Sequence, residues 1–370
     1  MDYKKFTLTV VAMFVVCTAL IPVYDADAAD SGFDVTDGLD RTISFDSPVD
    51  HIITIGKGTT ATVIELGYLD KISVVDKYSN DKNEPVFEDL NKKVADGEIK
   101  AGGTIYSSGI EQLKKDILDS ADPEEGGTFD KDKDAIVMTA SKTYVDPLVE
   151  YFTDKGFKNI LVWYDIPEYD LIIDFVDKMS MVLSGEKSDL AEQMRYVSEN
   201  VKDVLDSNKV TEKKAFVVTF SGGVFKVGNT GSIATSLITA AGGDAYTVNS
   251  SKPGPTYEAT LPEIYEKGDS PIVFVDHGIW SKADKLDQLE TLLPGATLVH
   301  VEALWNNFCP DSMYGVWAMA CAMYPDLFEG EVPDVSEPEE SHAATYAVAG
   351  IVIVLVIGVV AYALMKKKKI

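Results

Sequence analysis

The stretch His51-Ile52-Ile53-Thr54-Ile55-Gly56-Lys57-Gly58-Thr59-Thr60-Ala61-Thr62-Val63-Ile64-Glu65-Leu66-Gly67 decides the fold. Ile52 to Ile55 is a β-branched run of strand length, and the glycine-hydroxyl segment after it opens a helical pattern ending at Gly67. A strand passing directly into a helix begins a βαβ unit, and the alternation continues. Strands are predicted at Ile72 to Val75, Ala135 to Thr139 and Asn159 to Trp163, then in a second group at Ala215 to Phe220, Pro271 to Val275 and Thr297 to Val301. Between the groups, Tyr169 to Leu183 carries apolar residues at helical spacing, and Ser188 to Leu205 continues as a more polar helix after a break at Gly185. Upstream, Phe33 to Phe45 alternates around Asp37-Gly38, a hairpin signal.

These patterns predict an α/β chain with two Rossmann-like lobes, joined by a long rigid helix, with a ligand cleft between them, plus one C-terminal transmembrane helix. The expected boundaries are an N-terminal lobe at 30–166, linking helices at 167–210 and a C-terminal lobe at 211–327.

Both ends read as export and anchoring signals. Lys4 and Lys5 precede an apolar run and an Ala26-Asp27-Ala28 cleavage pattern, so 1–28 is expected to be a signal peptide, with an uncleaved N-terminal anchor as the alternative. Residues 343–365 carry no charge, and a helix of that length at about 1.5 Å per residue covers the ~30 Å hydrocarbon core. Four lysines follow in the tail 366–370, which places that tail in the cytoplasm and the body outside the cell membrane. The segment 328–342, rich in Glu and Pro, is expected to be a disordered acidic stalk.

With 33 basic and 60 acidic residues the net charge is −27, which removes the basic footprint that nucleic-acid binding needs. Cys17, Cys309 and Cys321 are the three cysteines. The last two flank an expected helix that would hold them roughly 18 Å apart, beyond the ~7 Å reach of a disulfide, so both are expected to be buried thiols.

A weak repeat links the lobes: Gly56-Lys57-Gly58-Thr59-Thr60 and Gly228-Asn229-Thr230-Gly231-Ser232 each open a helix. Such a start offers unpaired N–H groups to a ligand, or is simply capped by its own hydroxyls. The first copy also fits a GxGxxA dinucleotide fingerprint, with Asp76 downstream, and would suit an NAD-dependent enzyme. Export, the preceding hairpin and Ala61 in place of a third glycine argue against that reading. No G-x-S-x-G or H-E-x-x-H pattern occurs, so no catalytic residue is assigned. The histidines His51, His277, His300 and His342 are dispersed, which argues against a multi-histidine metal site, and only His277 is expected near the cleft.

Several segments resemble the helical-backbone, class III, periplasmic binding proteins that serve ABC importers of siderophores, haem and cobalamin. Val35-Thr36-Asp37-Gly38-Leu39-Asp40-Arg41-Thr42-Ile43 resembles that family's opening hairpin, and Glu65-Leu66-Gly67-Tyr68-Leu69-Asp70-Lys71-Ile72 its following helix-to-strand passage. Ala240-Ala241-Gly242-Gly243 and Met323-Tyr324-Pro325 are similar to its second-lobe and closing segments. The resemblance implies an extracytoplasmic substrate-binding subunit, not an enzyme, that captures an iron complex or a corrinoid as cargo, with no resident cofactor. Its partners would be an ABC permease and the ATPase behind it. A C-terminal anchor departs from the bacterial pattern and is similar to the archaeal arrangement. A surface sensor or adhesin using the same fold is the alternative. Docking to the permease in this family uses an acidic residue on each lobe. Ala61 stands where the first is expected, leaving Glu65, with Glu263 or the neighbouring Glu258 in the second lobe.

Ligands of open parallel sheets bind beyond the carboxyl ends of the strands. The residues there are Lys57, Thr59, Tyr78, Tyr106, Ser107, Tyr144 and Trp163 in the first lobe, and Phe225, Asn229, Thr230, Trp305 and Asn306 in the second. As a set they suggest flat apolar walls with a few donors, and the lysines favour an anionic ligand.

Overall fold

A computed structural model describes residues 32–106, 108–164, 168–228, 231–246 and 272–333. The expected signal peptide, the span 343–365 and the tail 366–370 lie outside the described residues. Among the described residues no helix is long and apolar enough to cross a membrane.

An antiparallel ribbon of β1 (Phe33–Thr36) and β2 (Thr42–Phe45) opens the fold. The first lobe follows as β3 (Ile52–Ile55), α1 (Lys57–Glu65), β4 (Ile72–Val75), α2 (Glu88–Ala95), α3 (Ile110–Ser120), β5 (Ala135–Thr139), α4 (Lys142–Asp154) and β6 (Asn159–Trp163). Its strands run parallel in the order β4-β3-β5-β6. Then come α5 (Tyr169–Ser184) and α6 (Asp189–Asn208). The second lobe comprises β7 (Lys214–Ser221), β8 (Val224–Val227), α7 (Ile233–Ala240), β9 (Asp244–Ala245), β10 (Ile272–Asp276), α8 (His277–Trp280), α9 (Ala283–Leu292), β11 (Thr297–Val301) and α10 (Ser312–Met323). Its sheet has the order β11-β10-β7-β8, with β9 added beside β7.

The structure departs from expectation in three places. The two linking helices, expected to act as one long rigid joint, fold back at the Gly185 break into a helical hairpin. Gly185 ends α5 in the left-handed conformation at φ 78°, its N–H bonded to Met181 O, and the Ser188 hydroxyl caps α6 by accepting from Leu190 and Ala191 N–H. Val224–Val227 is an unforeseen strand: Gly222 and Gly223, at φ 64° and 84°, fold it back antiparallel on β7. The start of the expected stalk is ordered, with Phe328 buried against Trp317 and Tyr324, and the Trp317 indole donating to Gly330 O at 3.1 Å. One aromatic anchor holds a segment that is otherwise poor in apolar residues.

One buried cluster runs through both lobes. It joins Ile52, Val137 and Leu161 of the first sheet to Val217, Phe274 and Val301 of the second through Phe175, Val176 and Met179 of α5 and Val197 and Val201 of α6. Separate clusters cover the opposite face of each sheet. Each fully buried large side chain stabilises the fold by about 1.5–3 kcal/mol, so the linking hairpin is part of the core.

Polar clamps complete the frame. The Asp37 carboxylate, 2% exposed, accepts from Leu39, Arg41 and Val162 backbone N–H groups and from the Arg41 guanidinium, which also donates to Ile160 O, pinning the ribbon to β6. Lys71 donates to Val49 O and Leu183 O at 2.6 and 2.8 Å, tying the first lobe to the end of α5. Of the thiols, Cys309 is buried as expected, but Cys321 lies within α10 and is half-buried.

Candidate functional site

At the first helix start the glycines and hydroxyls serve the interior of the fold. Gly56, at φ 116°, donates its N–H to the Asp76 carboxylate, which also accepts from the Tyr78 and Ser79 N–H groups. A buried chain of hydroxyls runs from Thr54 through Thr60 and Ser79 to Asp76, and Thr59 bonds Thr139 at 2.7 Å. Gly58 packs against Phe308 of the second lobe so closely that a Cβ would lie 2.7 Å from its backbone nitrogen. The acid that a dinucleotide ribose would need is consumed internally, and the space for a pyrophosphate is filled. Thr59 is therefore a structural residue, and the NAD-dependent reading has no site here. In the second copy the Ser232 hydroxyl accepts from Thr235 N–H, the ordinary capping alternative, while Asn229 and Thr230 lie outside the described residues.

Two other proposed contacts are core. Trp163, the last residue of β6, is 3% exposed and packs edge-on against Phe175 at 4.9 Å. Phe225 is buried on β8 against Phe220. Trp305 is half-buried over Gly315, and Asn306 beside it is also half-buried. Ser107 and Glu263, with Glu258, lie outside the described residues.

The strand ends of the first lobe do form an aromatic wall. Tyr78, Tyr106 and Tyr144 are 49%, 41% and 41% exposed, and their rings meet edge-to-face at 5.7 and 4.9 Å. Solvent-facing aromatics held against one another offer a rigid apolar surface at little entropic cost. Lys77 sits 5.0 Å from the Tyr78 ring centre. Tyr164 donates to Asp146, and burial together with that carboxylate pushes its pKa up to about 12.

A cleft of about 480 Å³ lies between the lobes, lined by Lys57, Asp81, Asn83 and Glu84 from the first and Asp276, His277, Gly278, Ser281 and Ala303 from the second. Lys57 does not wait for an anion there: its ammonium is 3.0 Å from Asp81 and 3.1 Å from Glu84. Burial tends to raise the Asp81 pKa, but hydrogen bonds from Asn83 and Lys57 outweigh it and hold the group below the ordinary carboxylate range. One lysine against three carboxylates (Asp81, Glu84, Asp276) leaves a formal charge of −2 on the lining, so the cleft favours cationic or metal-bearing ligands, the reverse of the anionic preference that the lysines suggest in sequence. A larger cavity of about 630 Å³ lies along α6 and α7, away from the strand ends, among Arg195, Glu199, Lys202 and Asp206, and lacks the convergent geometry of the cleft.

At the second-lobe side the structure brings together His277, His300 and Glu302, overturning the expectation that the histidines stay dispersed. The ring nitrogens His277 Nδ1 and His300 Nε2 are 3.1 Å apart, and the Glu302 carboxylate lies 3.2 Å from His300 Nδ1 and 3.5 Å from His277 Nδ1. Burial lowers the His300 pKa, with Glu302 opposing, and Trp280 stacks on its ring at 5.0 Å and 11°. Two imidazoles and a carboxylate are a donor set for a borderline divalent metal. His51 instead bonds Asp134 and Thr128, as a structural residue.

Glu65 sits at the end of α1 with one oxygen, Oε1, shielded and without a hydrogen-bond partner. Burial, then the Asp311 carboxyl, pushes its pKa up to about 8. It is therefore largely neutral at pH 7 and turned inward, which does not suit a docking anion.

No family model matches the chain, and no curated protein matches it in sequence. Solved structures do match. Helicobacter pylori CeuE with Ni(II) bound aligns with a TM-score of 0.59 at 14% identity, over 80% of this chain and 90% of its own. The catecholate-siderophore binding protein VctP of Vibrio cholerae aligns at 0.55 and 14%, over 80% and 100%, and the haem-binding protein RhuT of Roseiflexus sp. RS-1 at 0.53 and 13%, over 75% and 98%. The chain therefore has the mixed α/β fold of the class III periplasmic binding proteins.

Proposed function

We propose that the chain is the extracytoplasmic substrate-binding subunit of an ABC importer, held at the cell surface by its C-terminal span, which captures an iron complex (siderophore or haem) or a corrinoid. It then hands the cargo to a permease whose ATPase supplies the energy. The observation that carries this reading is the interlobe cleft beyond the carboxyl ends of the parallel strands of both lobes, together with the exposed wall of Tyr78, Tyr106 and Tyr144 at the strand ends of the first lobe. An acidic interlobe pocket and a flat aromatic surface on the same lobe end suit a large, partly apolar, metal-bearing ligand. The shared fold supports it, since the neighbours' own names describe siderophore and haem binding.

The test is native mass spectrometry and absorbance of the detergent-solubilised chain after incubation with haem, cobalamin and ferric siderophores. A retained coloured ligand at one equivalent supports the importer subunit and names its cargo. No retention of any of the three by a folded protein sinks the cargo assignment.

A further inference from the structure

We propose that His277, His300 and Glu302 form a binding site for a divalent transition-metal ion on the second-lobe side of the cleft. The strand register builds it. His300 and Glu302 lie two residues apart at the end of β11 and so share a face, and the parallel pairing of Val275 with His300 carries His277 alongside Glu302. All three donors thus emerge on one side of the sheet at its ligand-facing end, and their ligand atoms fall within 4.8 Å of one another.

The distances that make a hydrogen bond in the metal-free protein also suit a metal. His277 Nδ1 and His300 Nε2 face each other at 3.1 Å, so in the metal-free protein one proton lies between two lone pairs. A metal bonded to both at about 2.0–2.1 Å would subtend an angle of about 100° for that separation, between the octahedral and tetrahedral values. The Glu302 oxygen that lies 3.5 Å from His277 Nδ1 is placed as third ligand, and its other oxygen is 3.2 Å from His300 Nδ1. Trp280 fixes the plane of the His300 ring. His277 is also a lining residue of the cleft, whose lining carries a formal −2 charge and draws cations in. The donor set selects Zn²⁺, Ni²⁺ or Cu²⁺ over Mg²⁺ or Ca²⁺. The metal site does not depend on which organic cargo the cleft takes, and so stands or falls separately from the importer reading.

The experiment is calorimetric titration of the full chain, stripped with chelator, with Ni²⁺ or Zn²⁺ alone, and Co²⁺ absorbance as the spectroscopic readout. One equivalent is expected to bind. His277→Ala and His300→Ala should each weaken that binding by at least about a hundredfold and abolish the Co²⁺ ligand-field bands, and Glu302→Gln should weaken it by about tenfold to a hundredfold. Unchanged circular dichroism in the variants assigns the loss to the site. The proposal is overturned if the wild type takes up no ion, or if the histidine variants bind as tightly as the wild type. Binding of haem or cobalamin is not part of the readout, so a wrong cargo assignment would leave this result intact.

Discussion

The hydroxyl of Thr62, on the first helix of the first lobe, donates to the backbone carbonyl of Phe308 in the second lobe at 3.0 Å. One turn earlier Gly58 presents bare backbone to the same residue, where a Cβ would meet Phe308 N and O at 2.7 and 2.8 Å. At Gly58 the lobes thus meet main chain to main chain, with no side chain there to yield, and the Thr62 hydroxyl fastens the same stretch of backbone.

Gly58→Ala is therefore expected to destabilise the protein by about 1–3 kcal/mol, because a methyl group must displace backbone and not a flexible side chain. Thermal melting checks this. A melting temperature equal to the wild type would show that the two lobes separate freely at this seam.

Glu65 gives the protein a pH dependence of known sign. Its folded pKa of about 8 lies above the ordinary 4.5, so the unfolded chain ionises first. The stabilising share of this group is full below about 4.5 and is lost as pH rises to about 8. Glu65→Gln, which keeps the shape and cannot ionise, should flatten that fall and melt higher than wild type at pH 8.5. Parallel melting curves for the two proteins between pH 5 and 9 would contradict the assignment.

The aromatic wall carries cargo affinity in the proposed function. Replacing Tyr78, Tyr106 and Tyr144 together by Ala should weaken binding of the retained cargo by at least about tenfold, since each ring stacked on the cargo contributes about 0.5–1.5 kcal/mol. Because these rings are exposed, the melting temperature should move little. Fluorescence titration measures the first effect, and unchanged affinity would exclude the wall from the site.

Asp37→Asn should loosen the opening ribbon. The buried carboxylate accepts from three backbone N–H groups and from Arg41, and an amide oxygen with an adjacent NH₂ cannot serve them all. A loss of about 2–3 kcal/mol is expected from denaturant unfolding. Hydrogen exchange at the 33–45 segment should rise with it, and unaltered protection there would place the clamp's role elsewhere.

Much of the fold was legible because its signals are local. The β-branched runs from Ile52 to Val301 and the apolar spacing of Leu171 to Leu183 match the observed strands and α5 to within a residue or so. The helical hairpin was half visible at Gly185, whose left-handed conformation also turns the chain back. The site was less legible, because its key facts are non-local. Nothing near Lys57 announces that Asp81 and Glu84, 24 and 27 residues on, neutralise it. His300 and Glu302 share a face by simple alternation, but bringing His277 to them requires the pairing of Val275 with His300, a register that neither strand specifies alone. Trp163 and Thr59 sit at the right ends of the right elements, yet α5 and Thr139 cover them.

The continuous cluster that fuses both sheets through α5 and α6 also separates two kinds of inheritance. A frame already assembled before a ligand arrives spends little ordering entropy on capture, so affinity rests on a few side chains at the strand ends. Those side chains lie just past the sheets, where exchange leaves the buried cluster untouched. Under the proposed function, a lineage changes its cargo through a handful of substitutions at positions such as Tyr78, Tyr144 and His277, while the body that presents them stays the same.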